Sequence, residues 1–136
     1  MEPQQPVDPP CATILYRTVR RKDWFDPDDE SRIKDAAFMR RRGVDTDGLS
    51  LFDSFHVSES DCIEAELSCH GLVTLHVGTL RDLGLHAIRD PADHRKVLIV
   101  NMPFENPGDA IQEALLDQVA DSARICSRRK WRKPQS

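Results

Sequence analysis

The residues of this 136-residue chain best suited to metal or nucleophile chemistry are its four cysteines and five histidines. Cys62, Cys69, His70 and His76 fall in one short stretch and supply the thiolate and imidazole donors that zinc takes. The stretch has no Cys-x-x-Cys pair, however, and His76 would have to reach back from a strand. Buried thiols beside hydrogen-bonded histidines are therefore expected, and no metal site is assigned. His56, His86 and His94 are scattered and define no site by themselves. A Cys–His nucleophilic pair needs a thiolate held beside a base, and the sequence singles out no such pair. The glycines match neither the dinucleotide-binding fingerprint nor the phosphate loop, whose spacings have strict geometric causes, so no cofactor is implied.

Charge is the second source of chemistry. The net charge of −4 excludes a uniformly basic nucleic-acid binder but hides strong segregation. Arg128, Arg129, Lys130, Trp131, Arg132 and Lys133 put cations for phosphates beside an indole that can stack on an unpaired base. This tail is the candidate contact for a nucleic-acid or protein partner, and its alternative role is a solubilising end. Asp109, Glu113, Asp117 and Asp121 recur every four residues and form one acidic face of a helix. Such a face is ordinarily solvated; the alternative is docking of a basic partner or of Arg40-Arg41-Arg42 from the same chain.

Elements must position these groups. Residues 1–11 hold four prolines and no apolar periodicity, the pattern of a disordered arm. Ala12–Val19 is rich in β-branched residues and reads as a strand with mixed faces. Pro27, an acidic run and Gly43 break up residues 20–47, leaving a short helix over Ser31–Arg41 inside what reads as a long functional loop. Leu49–Ser54 alternates as a strand after the turn signal Asp45–Gly48. Ser58 is placed to cap a helix running to about Cys69, with Ile63, Leu67 and His70 on its buried stripe. Leu72–Val77 reads as a strand, Thr79–Gly84 as a helical turn ended by glycine, and Leu85–Arg89 as a short strand. Val97–Val100 has the continuous apolar run of an interior strand. The last helix is expected to be capped by Asn106, with Pro107 at its first position, and to bury Ile111, Ala114, Leu115, Val119, Ser122 and Cys126. The strand, helix and strand over residues 49–77 could form a parallel crossover.

The strings Leu15-Tyr16-Arg17, Asp47–Leu51 and Leu75–Leu85 resemble a group of small bacterial proteins to which no activity is attached, over roughly residues 14–126. The chain also resembles ADP-ribosyltransferase-type domains, in which an Arg on the first strand, a Ser on a later strand and a downstream Glu serve NAD binding and catalysis. Arg17, Ser50 and Glu105 occur in that order. The acidic or glutamine residue usual two positions before the catalytic Glu is replaced by Pro103. That likeness implies a small transferase using an NAD-type ligand.

Together these readings give an α+β, or small α/β, domain over residues 12–127. A four- to five-stranded mixed sheet should carry two main helices, between a disordered arm at 1–11 and a basic tail at 128–136. Hydrophobic residues are 39% of the chain and charged residues 31%, a globular composition on the hydrophilic side. The start has no secretory signal pattern and no apolar run reaches spanning length, so a soluble bacterial cytoplasmic protein with free thiols and no membrane association is expected. The leading functional expectation is a non-enzymatic binding or accessory protein with a protein or nucleic-acid partner. The NAD-type transferase is the alternative.

Overall fold

The computed structural model describes residues 8–29, 31–65 and 69–128. The protein is α+β. Its strands are β1 (Ile14–Thr18), β2 (Leu49–Asp53), β3 (Gly71–His76), β4 (Ala87–Arg89), β5 (Lys96–Ile99) and β6 (Arg124–Arg128). Helices α1 (Glu59–Ala65), α2 (Val77–Asp82) and α3 (Ala110–Ser122) connect or cover them. The strands form one sheet in the order β4-β5-β2-β1-β3-β6, with every neighbouring pair antiparallel. This corrects the expected mixed sheet of four to five strands with two main helices. β2 and β3 do run the same way, but β1 lies between them, so they are not the adjacent pair of a simple crossover.

The extra strand comes from the C-terminal end of the expected last helix. α3 stops at Ser122, Ala123 turns extended, and Arg124–Arg128 pairs with β3 instead of continuing the helix. The start also moves inward. Asn106 and Gly108 both take left-handed φ angles, which turn the chain before any helix can begin. Asp109 then caps α3, its carboxylate accepting Ile111 N at 2.8 Å. With this phase Leu116, Val119 and Ala120 face the core, Leu115 is half-buried, and Ile111 is 80% exposed rather than core-facing.

Strand register divides the side chains between two faces. Leu15, Arg17, Leu49, Leu51, Val73, Leu75, Val97 and Ile99 point to the larger core under α3, while Phe52 and Leu72 point to a smaller cluster with Val57 and Cys62. The smaller cluster is closed by α1, whose first turn has a reciprocal cap: Ser58 Oγ accepts Asp61 N, and Ser58 N donates to the Asp61 carboxylate. Leu67, expected on the stripe of this helix, lies outside the described residues.

Residues 20–47 belong to the fold. The expected helix over Ser31–Arg41 is reduced to a 3-10 turn at Asp35–Phe38, because Ile33 is drawn into an antiparallel bridge with Phe25 and Lys34 is extended. Phe25, Ile33, Ala37 and Phe38 are buried in the main core. Of the segment read as an unpacked arm, residues 1–7 lie outside the described residues. The rest is docked: Pro9 is buried, and Cys11 O accepts Gly78 N at 2.9 Å. A Cβ on Gly78 would sit 3.1 Å from Cys11 O, so the absence of a side chain permits that approach.

Candidate functional site

β2 ends on Asp53, which is 1% exposed. The chain must reverse there to enter α1, and Asp53 organises the reversal. Its Oδ1 accepts Phe55 N at 2.8 Å, and its carbonyl accepts His56 N and Val57 N, each at 3.0 Å. Its other carboxylate oxygen accepts Arg89 Nη1, from the end of β4, at 2.6 Å. The same Nη1 donates to His94 O at 3.3 Å, on the turn between β4 and β5. A lone buried carboxylate is costly, and the guanidinium together with the turn N–H offsets that cost.

This ion pair lines a cleft of about 600 Å³ at the end of the sheet. Pro10, Ala12 and Ile14 line it together with Ser54, Phe55 and His56. The Phe55 side chain, lifted by the Asp53 turn, is 88% exposed. Its ring meets that of His56 edge-on at 5.3 Å, and His56 meets His94 edge-on at 5.5 Å. On the turn that carries His94, Asp93 is held at about 2, first by the Arg95 side-chain hydrogen bond, and the two side chains form an ion pair. The two charged residues of the cleft lining, Asp53 and Arg89, are thus paired with each other. Its volume lies in the roughly 300–1,000 Å³ range of ligand pockets, and its mostly apolar walls suit an apolar group.

Acid–base or nucleophilic chemistry finds less support here. Asp53 is engaged by Arg89, and no hydrogen bond joins Ser54 to His56 among the described residues. Elsewhere, Cys126 is an exposed residue, yet its Sγ turns to Leu72 O at 3.5 Å; burial, then Glu59, pushes the thiol up to about 11, away from the reactive thiolate. Cys62 and Cys69 are buried, and among the described residues no three His, Cys, Asp or Glu side chains converge to hold a metal ion.

The three residues of the transferase likeness are placed in different surroundings. Arg17 is 4% exposed, and its guanidinium lies under the irregular segment, donating to Ala37 O at 2.9 Å and Ser50 O at 3.2 Å. The contact to Ser50 is to its carbonyl, because the pairing of Tyr16 with Phe52 puts the Ser50 side chain on the opposite face of the sheet from Arg17. Glu105 is exposed beyond β5, its N–H bonded to Arg40 O. Of the tail, Arg128 closes β6 opposite Gly71, while Arg129, Lys130, Trp131, Arg132 and Lys133 lie outside the described residues. The acidic ladder of α3 is partly engaged within the chain: Asp121 pairs with Arg32, and Asp117 lies against Asp35.

Asp53, Phe55 and Arg89 were not among the sequence candidates. The available signal was an Asp closing an alternating strand two residues before an aromatic, which is an Asx-turn pattern that aims the aromatic outward. Comparison of the chain with protein-family models, with curated proteins and with solved structures finds no match.

Proposed function

We propose that the protein is a non-enzymatic binding module, an accessory protein of a bacterial cytoplasm, whose partner is a protein that covers Phe55 and places an apolar side chain in the adjoining cleft. The observation that carries this reading is an 88% exposed phenylalanine held on a hydrogen-bonded turn beside an apolar cleft. Large aromatic side chains next to pockets are where binding energy concentrates in protein interfaces. A turn fixed before binding also lowers the ordering cost of association. Pairing of Asp53 with Arg89 leaves the cleft without a free charge to attract a phosphate, which favours a protein surface over nucleic acid here.

The test is photo-crosslinking in the native host with p-benzoylphenylalanine in place of Phe55, against the same probe in place of Ile111, which is 80% exposed on α3. A discrete protein adduct from position 55 that maps to an apolar residue and is absent from position 111 is expected. No adduct from position 55, or the same adducts from both positions, would sink the reading. No helix among the described residues is long and apolar enough to cross a membrane.

A further inference from the structure

We propose that Phe55 and the cleft beside it are the two halves of one self-complementary contact, by which two copies of this chain pair about a two-fold axis, each inserting Phe55 into the other's cleft. The inference rests on the reading of this face as a protein-binding surface and names its partner.

A knob and a hole set far apart on a molecule join copies head to tail and leave an open chain. Set side by side, they can be satisfied twice by one rotation, which closes the assembly at two. Phe55 both lines the cleft and projects into solvent, and Ala12 and Ile14 belong to the same lining. Ile14 is itself partly exposed, so the lining offers a second accessible apolar side chain. A two-fold axis brings every charge on the patch near its own copy, and like charges facing across an interface are costly. This patch meets that condition internally. Its two charged lining residues, Asp53 and Arg89, are bound to each other, and on the neighbouring turn Asp93 is bound to Arg95. A charged peptide or a nucleic acid would find no such complement in the cleft.

The experiment uses the full chain, purified alone. Sedimentation velocity from low micromolar to near-millimolar concentration should show a reversible passage from a 15.5 kDa monomer to a species of twice that mass. Chains carrying p-benzoylphenylalanine in place of Phe55, mixed from 14N- and 15N-labelled stocks and irradiated, should yield crosslinked peptides with mixed labels. These should join position 55 of one copy to residues 10–14 of the other. Phe55→Asp, which removes the knob, and Ala12→Trp, which fills the cleft and leaves Phe55 in place, should each return the protein to monomer. Both positions are exposed, and the circular dichroism spectrum should not change. A monomer at every concentration, crosslinks of unmixed label only, or a dimer indifferent to both variants would overturn the proposal. A monomer that nevertheless gives a mapped adduct to another protein in cells would overturn the pairing and leave the protein-binding reading standing. No adduct in either setting would end both.

Discussion

At each end of the sheet one buried charged residue folds a turn back on the strands, and the two turns finish differently. At the end away from the cleft, Arg40, 8% exposed, donates to Asp45 O, Thr46 O and Val100 O at 2.8–3.0 Å. Its guanidinium lies 4.0 Å from the ring centre of Phe104, with Arg42 also over that ring. Beneath this turn Gly48 reaches the start of β2 at a left-handed φ, so close that a Cβ would meet Ile99 O at 3.0 Å. At the cleft end Asp53 serves as acceptor where Arg40 serves as donor, but the aromatic in its turn points into solvent. The difference is in what surrounds the aromatic. Two cations of its own chain lie over the Phe104 ring, whereas among the described residues the one ring that meets Phe55 is the edge of His56. The same device, a buried charge bonded to a turn, closes one end of the molecule and presents a surface at the other.

Removing the device at the cleft end should have the largest effect. Asp53→Ala leaves Arg89 beside an empty acceptor site and frees the Phe55 N–H, so a loss of about 3–5 kcal/mol is expected from chemical unfolding. A double-mutant cycle with Arg89→Met should recover part of that loss, because the second change removes the stranded cation. Purely additive effects would show that the pair is not coupled. At the closed end, Arg40→Met keeps the apolar stem but deletes three bonds to carbonyls, two of which lie on turn residues that water can reach. A loss of about 2–3 kcal/mol is expected, smaller than at Asp53 because water replaces part of what is removed.

The core between the two ends supplies an internal standard. Leu116→Ala should cost about 2–5 kcal/mol and the half-buried Leu115→Ala about half as much, a ranking that fixes the phase of α3. The reverse ranking would restore the helical phase that the sequence implies when Asn106 is taken as the cap.

How far the sequence disclosed this arrangement depends on which signals were local. β2, β3 and β5 were legible, since alternation in Leu49–Ser54, alternation in Leu72–Val77 and the apolar run Val97–Val100 each follow from how one strand meets one or two packed faces. β1 looked mixed because one of its core-facing positions is Arg17, whose partners include Ala37 and Ser50, remote in sequence. β6 was hidden because Arg124, Ile125 and Cys126 extend a helical pattern without a break. Only the open edge of β3 makes them a strand. The cleft was the least legible part, since it joins residues 10–14, 53–56 and 89, and neither Asp53 nor Arg89 shows its partner in the sequence.

A smaller effect concerns the contact between the 3-10 turn and α3. Asp35, on the 3-10 turn, has its carboxyl raised above the ordinary value of 3.8, first by burial and then by Asp117 on α3. Between its unfolded value and the raised folded one, the folded chain binds more protons than the unfolded chain, so this group lowers stability as pH rises through that window. Asp35→Asn should therefore raise the urea midpoint at neutral pH and leave it little changed at the acid end of the window. A shift of equal size at both pH values would mean that the carboxyl does not titrate differently in the folded state.

The smallest effect is expected at Phe55. Substitution to Ser removes a ring that is 88% exposed and whose one ring contact among the described residues is the edge of His56, so the unfolding free energy should change by no more than about 0.5 kcal/mol. The comparison with Phe104 makes this a sharp expectation. Phe104→Ser should cost more, since that ring carries the stacked guanidinium of Arg40, and a Phe55 loss as large as the Phe104 loss would erase the contrast between the two ends. Measurement has to be made at a concentration where the wild-type chain is monomeric, because a ring used between copies stabilises the folded state by mass action. At higher concentration the same substitution should then lower the apparent midpoint by an amount that grows with protein concentration, while Phe104→Ser shows no such dependence. That separation distinguishes an aromatic residue that serves its own fold from one that serves a surface outside it.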